Sequence, residues 1–176
     1  MGVAKQHKPV KLVIGMISND PDLIMKVEKA LAWKFGPIDF RTALLDFAYT
    51  DYYAPEMGQN LKRQFISFRK LVNPELLPKI KHYTNKIELG FSKDRKRPSR
   101  RINIDPGYVT DAKLLLATTK DNAHRVYLNG GVFAEITLRY MDKSFLPWEW
   151  TYRDYKTKEY VDIFNEIRKI YLQQTK

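Results

Sequence analysis

Residues 10–35 read VKLVIGMISNDPDLIMKVEKALAWKF, and they decide the fold class. The first eight are apolar and partly β-branched, which predicts a strand. Ser18, Asn19 and Asp20 end it. Asp20 followed by Pro21 opens a helix, with a capping acid ahead of proline at the first helical position. Leu23, Val27, Ala30, Leu31 and Phe35 share one helical face, and Gly36-Pro37 stops it.

Working outward, residues 38–49 return as a strand that breaks near Leu44 and Leu45, and residues 50–60 (TDYYAPEMGQN) read as a loop. Residues 61–71 alternate like a strand. Asn73-Pro74-Glu75 opens a second helix that runs to about Phe91, with Ile80, Tyr83, Thr84, Ile87 and Phe91 inward. Residues 101–105 read as a short strand. Residues 126–128 and 132–140 flank Asn129-Gly130-Gly131 as a hairpin. In residues 157–173, Tyr160, Ile163, Phe164, Ile167, Ile170 and Tyr171 repeat at helical spacing. The expected architecture is α+β, one globular domain over residues 1–176 with residues 1–9 flexible. Its first half follows the ferredoxin-like split βαβ plan, an antiparallel sheet with two helices, extended by the hairpin and a C-terminal helix.

Composition narrows the class. A chain of 176 residues with 44% hydrophobic content can bury a core. No apolar stretch approaches a membrane span. The absence of cysteine excludes disulfides and thiolate metal sites, and three dispersed histidines give a His-rich metal centre little support. A cytoplasmic protein is expected. Thirty-one basic residues face 20 acidic ones, a net charge of +11, which favours polyanions such as RNA or DNA.

Chemistry concentrates in residues 105–125. Pro106-Gly107 signals a turn. Thr110-Asp111 would cap a helix over residues 112–118, although residues 114–118 also read as a strand. In the helical reading Lys113 opposes the helix dipole in the first turn unless an anion binds there. Lys113, Lys120 and Arg125 are therefore candidate phosphate contacts, against a plain alternative of solvated salt bridges. His124 near an acid can move protons at neutral pH, and Asp105 and Glu135 are its distant carboxylate candidates. That carboxylate pair with a lysine would also hold hydrated magnesium (Mg2+) on a phosphate substrate. Upstream, the loop of residues 93–101 adds Arg95, Lys96, Arg97, Arg100 and Arg101 as sequence-independent phosphate contacts. The aromatic stretches at residues 50–53 and 148–155 suit stacking, or more simply lids across a core.

Six blocks in order are KLVIGM (11–16), TDYYAPEMG (50–58), NIDPGY (103–108), LATTKDNAHR (116–125), AEITL (134–138) and TYRDY (151–155). Together they resemble an uncharacterised prokaryotic family, domain of unknown function 4416, over nearly the whole chain. The resemblance implies no mechanism. Members are sometimes labelled GTP-binding proteins, but no P-loop is present, and Asn85-Lys86-Ile87-Glu88 departs from Asn-Lys-x-Asp in a predicted helix. The residues point first to binding of nucleic acid or a nucleotide. The alternatives are a phosphoester- or nucleotide-processing enzyme using Asp105, His124 and Glu135, and a subunit whose aromatic segments bury against a protein partner.

Overall fold

The computed structural model describes residues 1–92 and 99–176. Strand β1 (Lys11–Ser18) leads through Asp20 into α1 (Pro21–Phe35). The Asp20 carboxylate accepts a hydrogen bond from the Leu23 backbone N–H at 3.0 Å, the cap its type and position predict. Then come β2 (Ile38–Arg41), β3 (Leu45–Asp46), the single turn α2 (Ala54–Met57) and β4 (Lys62–Phe68). A 3-10 turn, Pro74–Leu76, runs into α3 (Leu77–Gly90). Strands β5 (Asn103–Val109), β6 (Lys113–Thr118), β7 (Arg125–Asn129), β8 (Val132–Met141) and β9 (Ser144–Pro147) follow, and α4 (Lys158–Gln174) ends the chain. Its first turn is capped by Thr157, whose hydroxyl accepts from Tyr160 N–H.

The strands form one antiparallel sheet in the order β2-β4-β1-β5-β6-β8-β7, with β3 beside β4 and β9 beside β8. Every residue of β1 is buried, which explains its nearly unbroken apolar run. On one face Leu12, Ile14 and Met16 pack against Leu23, Val27 and Leu31 of α1 and Ile80 of α3. On the other, Val13 and Phe65 meet Tyr160, Phe164 and Ile167 of α4. Lys11 is fully buried there. Its ammonium pairs with Asp39 and donates to Gln174 Oε1 at 2.8 Å, and burial holds its pKa below the ordinary lysine range.

Five sequence expectations change. Pro106-Gly107 is no turn but lies inside β5, where both residues pair with β1. By two-residue alternation with Ile104, the missing proline N–H falls on the side away from β1, so no bond to β1 is lost. Gly107 is required by close approach, since a β-carbon there would stand 2.2 Å from Leu115 O.

Of the two readings of residues 112–118, helix or strand, the strand is the one formed: β6 pairs with both β5 and β8. A seven-residue segment is too short to hold a helix against two ladders. Thr110 Oγ1 accepts from the N–H groups of Ala112 and Lys113 and starts a tight turn. With no helix N-terminus, the helix-dipole reason for an anion beside Lys113 falls away, and Lys113 sits opposite Arg139.

The strand expected from Arg101 begins at Asn103, and the loop of residues 50–60 contains α2. Strand β9 was not expected at all. It follows a two-residue turn at Asp142 and Lys143, whose φ values are +53 and +66 without any glycine to announce it.

Candidate functional site

Strand β5 pairs with β1 along its whole length but with β6 only through Gly107, Tyr108 and Val109. Below that point the sheet opens. The Ile104 backbone groups on the open side are satisfied by α3 instead: its N–H donates to Glu88 Oε1 at 2.6 Å, and its C=O accepts from Lys81 Nζ at 3.0 Å. Pro106, which cannot donate a ladder bond, stands where the two strands part. The gap broadens into a cleft of about 1020 Å³ between the β5–β6 opening, residues 47–56 and residues 152–155.

At its floor lies Arg63 of β4, 3% exposed. Its side chain crosses central strand β1 at Gly15, the one position in β1 without a side chain. Arg63 Nη2 donates to Asp154 Oδ2 at 3.0 Å, while Nη1 stands 3.9 Å from Asp105 Oδ2. The guanidinium also lies 5.0 Å from the Phe47 ring centre and 5.2 Å from that of Phe65. Its Nε and Nη1 are buried and make no hydrogen bond. Burial raises the Asp154 pKa despite Arg63. Asp105 also accepts from Asn103 Nδ2 at 2.6 Å and lies 3.6 Å from Lys81 Nζ.

Beside the floor, burial lifts the Glu88 carboxyl to about 7, with Lys81 opposing. One wall carries Arg100, which donates from Nε and Nη2 to the two oxygens of Glu56 at 2.7 and 3.0 Å. This fork holds the Glu56 pKa below the usual carboxylate range. Arg100 lies 5.6 and 5.5 Å from the rings of Tyr52 and Tyr53. Lys120 donates to Tyr52 Oη at 2.7 Å, the main cause of that phenol's lowered pKa.

The facing wall is built on Glu135, 2% exposed. One of its oxygens takes Arg125 Nε at 2.9 Å and lies 3.1 Å from His124 Nε2. Arg125 Nη2 donates to Tyr152 Oη at 2.7 Å, and burial pushes the Tyr152 phenol up to about 12. The His124 ring stacks on Trp150, which stacks on Trp148, and Arg139 caps the pile 4.2 Å above Trp148. The aromatic segment is thus a packed buttress behind the His124–Glu135 pair.

Of the residues singled out from the sequence, Asp105, Glu135, Lys120 and Arg100 line this cleft, and His124 and Arg125 bond to its wall. Lys113 lies at the other end of β6 and takes no part. Arg101 is tied to Asp20 at 2.8 Å outside the cleft. Arg95, Lys96 and Arg97 lie outside the described residues. Asp105 and Glu135 have separate partners, and no group of three His, Asp or Glu suited to a metal occurs among the described residues.

Sequence reading missed Arg63, Lys81, Glu88 and Asp154. A signal existed for three of them. Arg63 shares a strand face with Phe65, and Lys81 and Glu88 stand seven apart on the buried stripe of Leu77 and Thr84, charges where apolar residues belong.

The blocks that build these walls lie within a stretch, residues 8–171, that matches the family described as domain of unknown function DUF4416. The chain belongs to that family. No curated protein and no solved structure matches it. Membership fixes kinship over nearly the whole chain and leaves the chemistry to the cleft. Among the described residues no helix is long and apolar enough to cross a membrane.

Proposed function

We propose that the cleft binds a small ligand that joins an oxyanion to a flat ring, and a nucleotide is the class that meets both demands. One observation carries this reading. A guanidinium with five donors sits buried at the cleft floor with Nε and Nη1 unbonded. Each buried, unbonded donor costs about 1–3 kcal/mol, which a ligand oxygen would offset. Lys81, Arg100 and Lys120 extend the cationic side, and Tyr52, Tyr53 and Tyr152 offer ring surfaces. The cleft also carries Glu56, Asp105, Glu135 and Asp154, so its charge is mixed. A compact ligand with donors as well as acceptors suits that balance better than a bare polyanion.

The reading keeps the cytoplasmic setting expected from the cysteine-free composition. It keeps the ferredoxin-like split βαβ plan for the first half too, supported by the order β2-β4-β1-β5 with α1 and α3 on one face.

A second reading, chemistry on that ligand, draws on the His124–Glu135 pair beside the cleft, with Asp105 across it. Magnesium would then arrive with the phosphates, since two carboxylates alone make an incomplete shell.

The test is a thermal-shift screen of nucleoside mono-, di- and triphosphates with and without magnesium, followed by calorimetric titration. One nucleotide should stabilise the protein, and Arg100→Ala or Lys120→Ala should weaken it about tenfold or more. No stabilisation by any nucleotide at millimolar concentration would reject the reading. Turnover of the bound nucleotide, lost in His124→Ala and Glu135→Gln, would select the enzymatic version.

A further inference from the structure

Apart from the cleft lining we infer a second site: the solvent face of α1, centred on Trp33, docks single-stranded nucleic acid. Helix α1 buries Leu23, Ile24, Val27 and Leu31. Its opposite stripe runs Met25, Lys29, Trp33 at four-residue steps, with Lys26 one turn before Lys29. Trp33 is 87% exposed, and no ring of the described residues stacks on it. A tryptophan is the largest apolar side chain, and leaving one fully in water forgoes the burial that normally places it.

Lysines outnumber acids on this face, where Asp22 stands one turn before Lys26 at the far end of the stripe from Trp33. Lys26, Lys29, Lys34 and Lys70 form no salt bridge with any acid among the described residues. Lys70 lies beside Gly36 at the end of α1, and Lys34 rests 5.2 Å over the Tyr83 ring. The nearest acid of the helix, Glu28, is already held by Arg41 through two hydrogen bonds. A flat ring standing among unpaired cations matches a strand whose bases are free to stack and whose phosphates run alongside. A lipid surface would call for a continuous apolar stripe, and here only Met25 accompanies the tryptophan.

Neither Trp33 nor these lysines line the cleft, so this site and the cleft stand or fall separately. The experiment uses the intact protein and fluorescein-labelled twelve-residue oligouridylate and oligothymidylate, read by anisotropy over a potassium chloride series. Binding should be measurable at low salt and fall as salt rises. Trp33→Ala should weaken it roughly tenfold, in line with one lost stacked base. Lys26→Ala with Lys29→Ala should flatten the salt slope by about one unit or more. Arg100→Ala and Lys120→Ala should leave it unchanged. These positions of α1 are exposed, so the variants should melt like the parent. Equal binding by Trp33→Ala would overturn the inference, as would no binding of either oligomer at low salt. Trp33-dependent sedimentation with phosphatidylserine vesicles, without oligonucleotide binding, would reassign the face to lipid and equally overturn it.

Discussion

The guanidinium of Arg63 lies across Gly15, so close that a β-carbon on Gly15 would stand 2.8 Å from Nη1 and 3.0 Å from the Phe65 ring. A glycine in the middle of a fully buried strand thereby lets an arginine from β4 reach carboxylates beyond the central strand, Asp105 on β5 and Asp154 ahead of α4. The cleft floor depends on that missing side chain.

Gly15→Ala should therefore destabilise the fold by about 1–3 kcal/mol, because the added methyl displaces a guanidinium already wedged between Phe47 and Phe65. Urea denaturation measures it. A neutral or stabilising result, as the better strand propensity of alanine alone would give, would show that Arg63 has room to spare.

Arg63→Ala should cost more, about 3–5 kcal/mol, because it strands the buried Asp154 carboxylate. Replacing both partners by apolar groups, Arg63→Met with Asp154→Leu, should recover much of the loss in denaturation midpoint while abolishing ligand stabilisation in the cleft. If the double variant is no more stable than Arg63→Ala, the pair is not the source of the penalty.

Glu88 gives a pH signature. Burial raises its carboxyl from the ordinary value of 4.5 to about 7, so between those values the folded protein holds a proton that the unfolded chain has lost. Stability contributed by this group is thus full below about 4.5 and falls as pH rises through 7. Glu88→Gln keeps an oxygen for the Ile104 N–H and has no proton to lose. Its stability relative to the parent should rise between pH 4.5 and 8 by up to roughly 3 kcal/mol. Denaturation at several pH values reads the gap, and a gap constant with pH would place the Glu88 titration at its ordinary position.

The turn between β8 and β9 holds Lys143 at φ +66, a conformation that strains any side chain with a β-carbon. Lys143→Gly should raise stability by about 0.5–1 kcal/mol, seen as a higher melting temperature. A lower melting temperature would mean that the turn relaxes at no cost and that glycine only loosens the unfolded chain.

Legibility followed the range of the physics. Asp20-Pro21, Gly36-Pro37 and Thr157 bounded helices correctly because caps act within a few residues. Asn129-Gly130-Gly131 announced a hairpin because φ is positive at both glycines, +57 and +75. The same local rules misled at Pro106-Gly107, where proline and glycine serve a strand edge and a close approach. At residues 112–118 they left helix and strand both open, and two flanking ladders decided for the strand. Asp105, Lys120, His124 and Arg125 stood out because polar residues cluster along residues 105–125, and Glu135 as a carboxylate on a nearby predicted strand, whereas Lys113 shares that stretch and lies at the other end of β6.

By itself the sequence determined the α+β class, the limits of the main helices, the strong positive charge and the family. The first three follow from composition, short-range periodicity or capping, which act between near neighbours in the chain, and the family from the likeness of six ordered blocks. Only the tertiary structure decided that Arg63, Asp105 and Asp154 meet, since they are 42 and 91 residues from Arg63 and join across a central strand. It alone decided that β5 and β6 part below Gly107 and that Lys81 and Glu88 turn inward to hold Ile104. Those facts depend on sheet order and register, which long-range burial sets and no local pattern records.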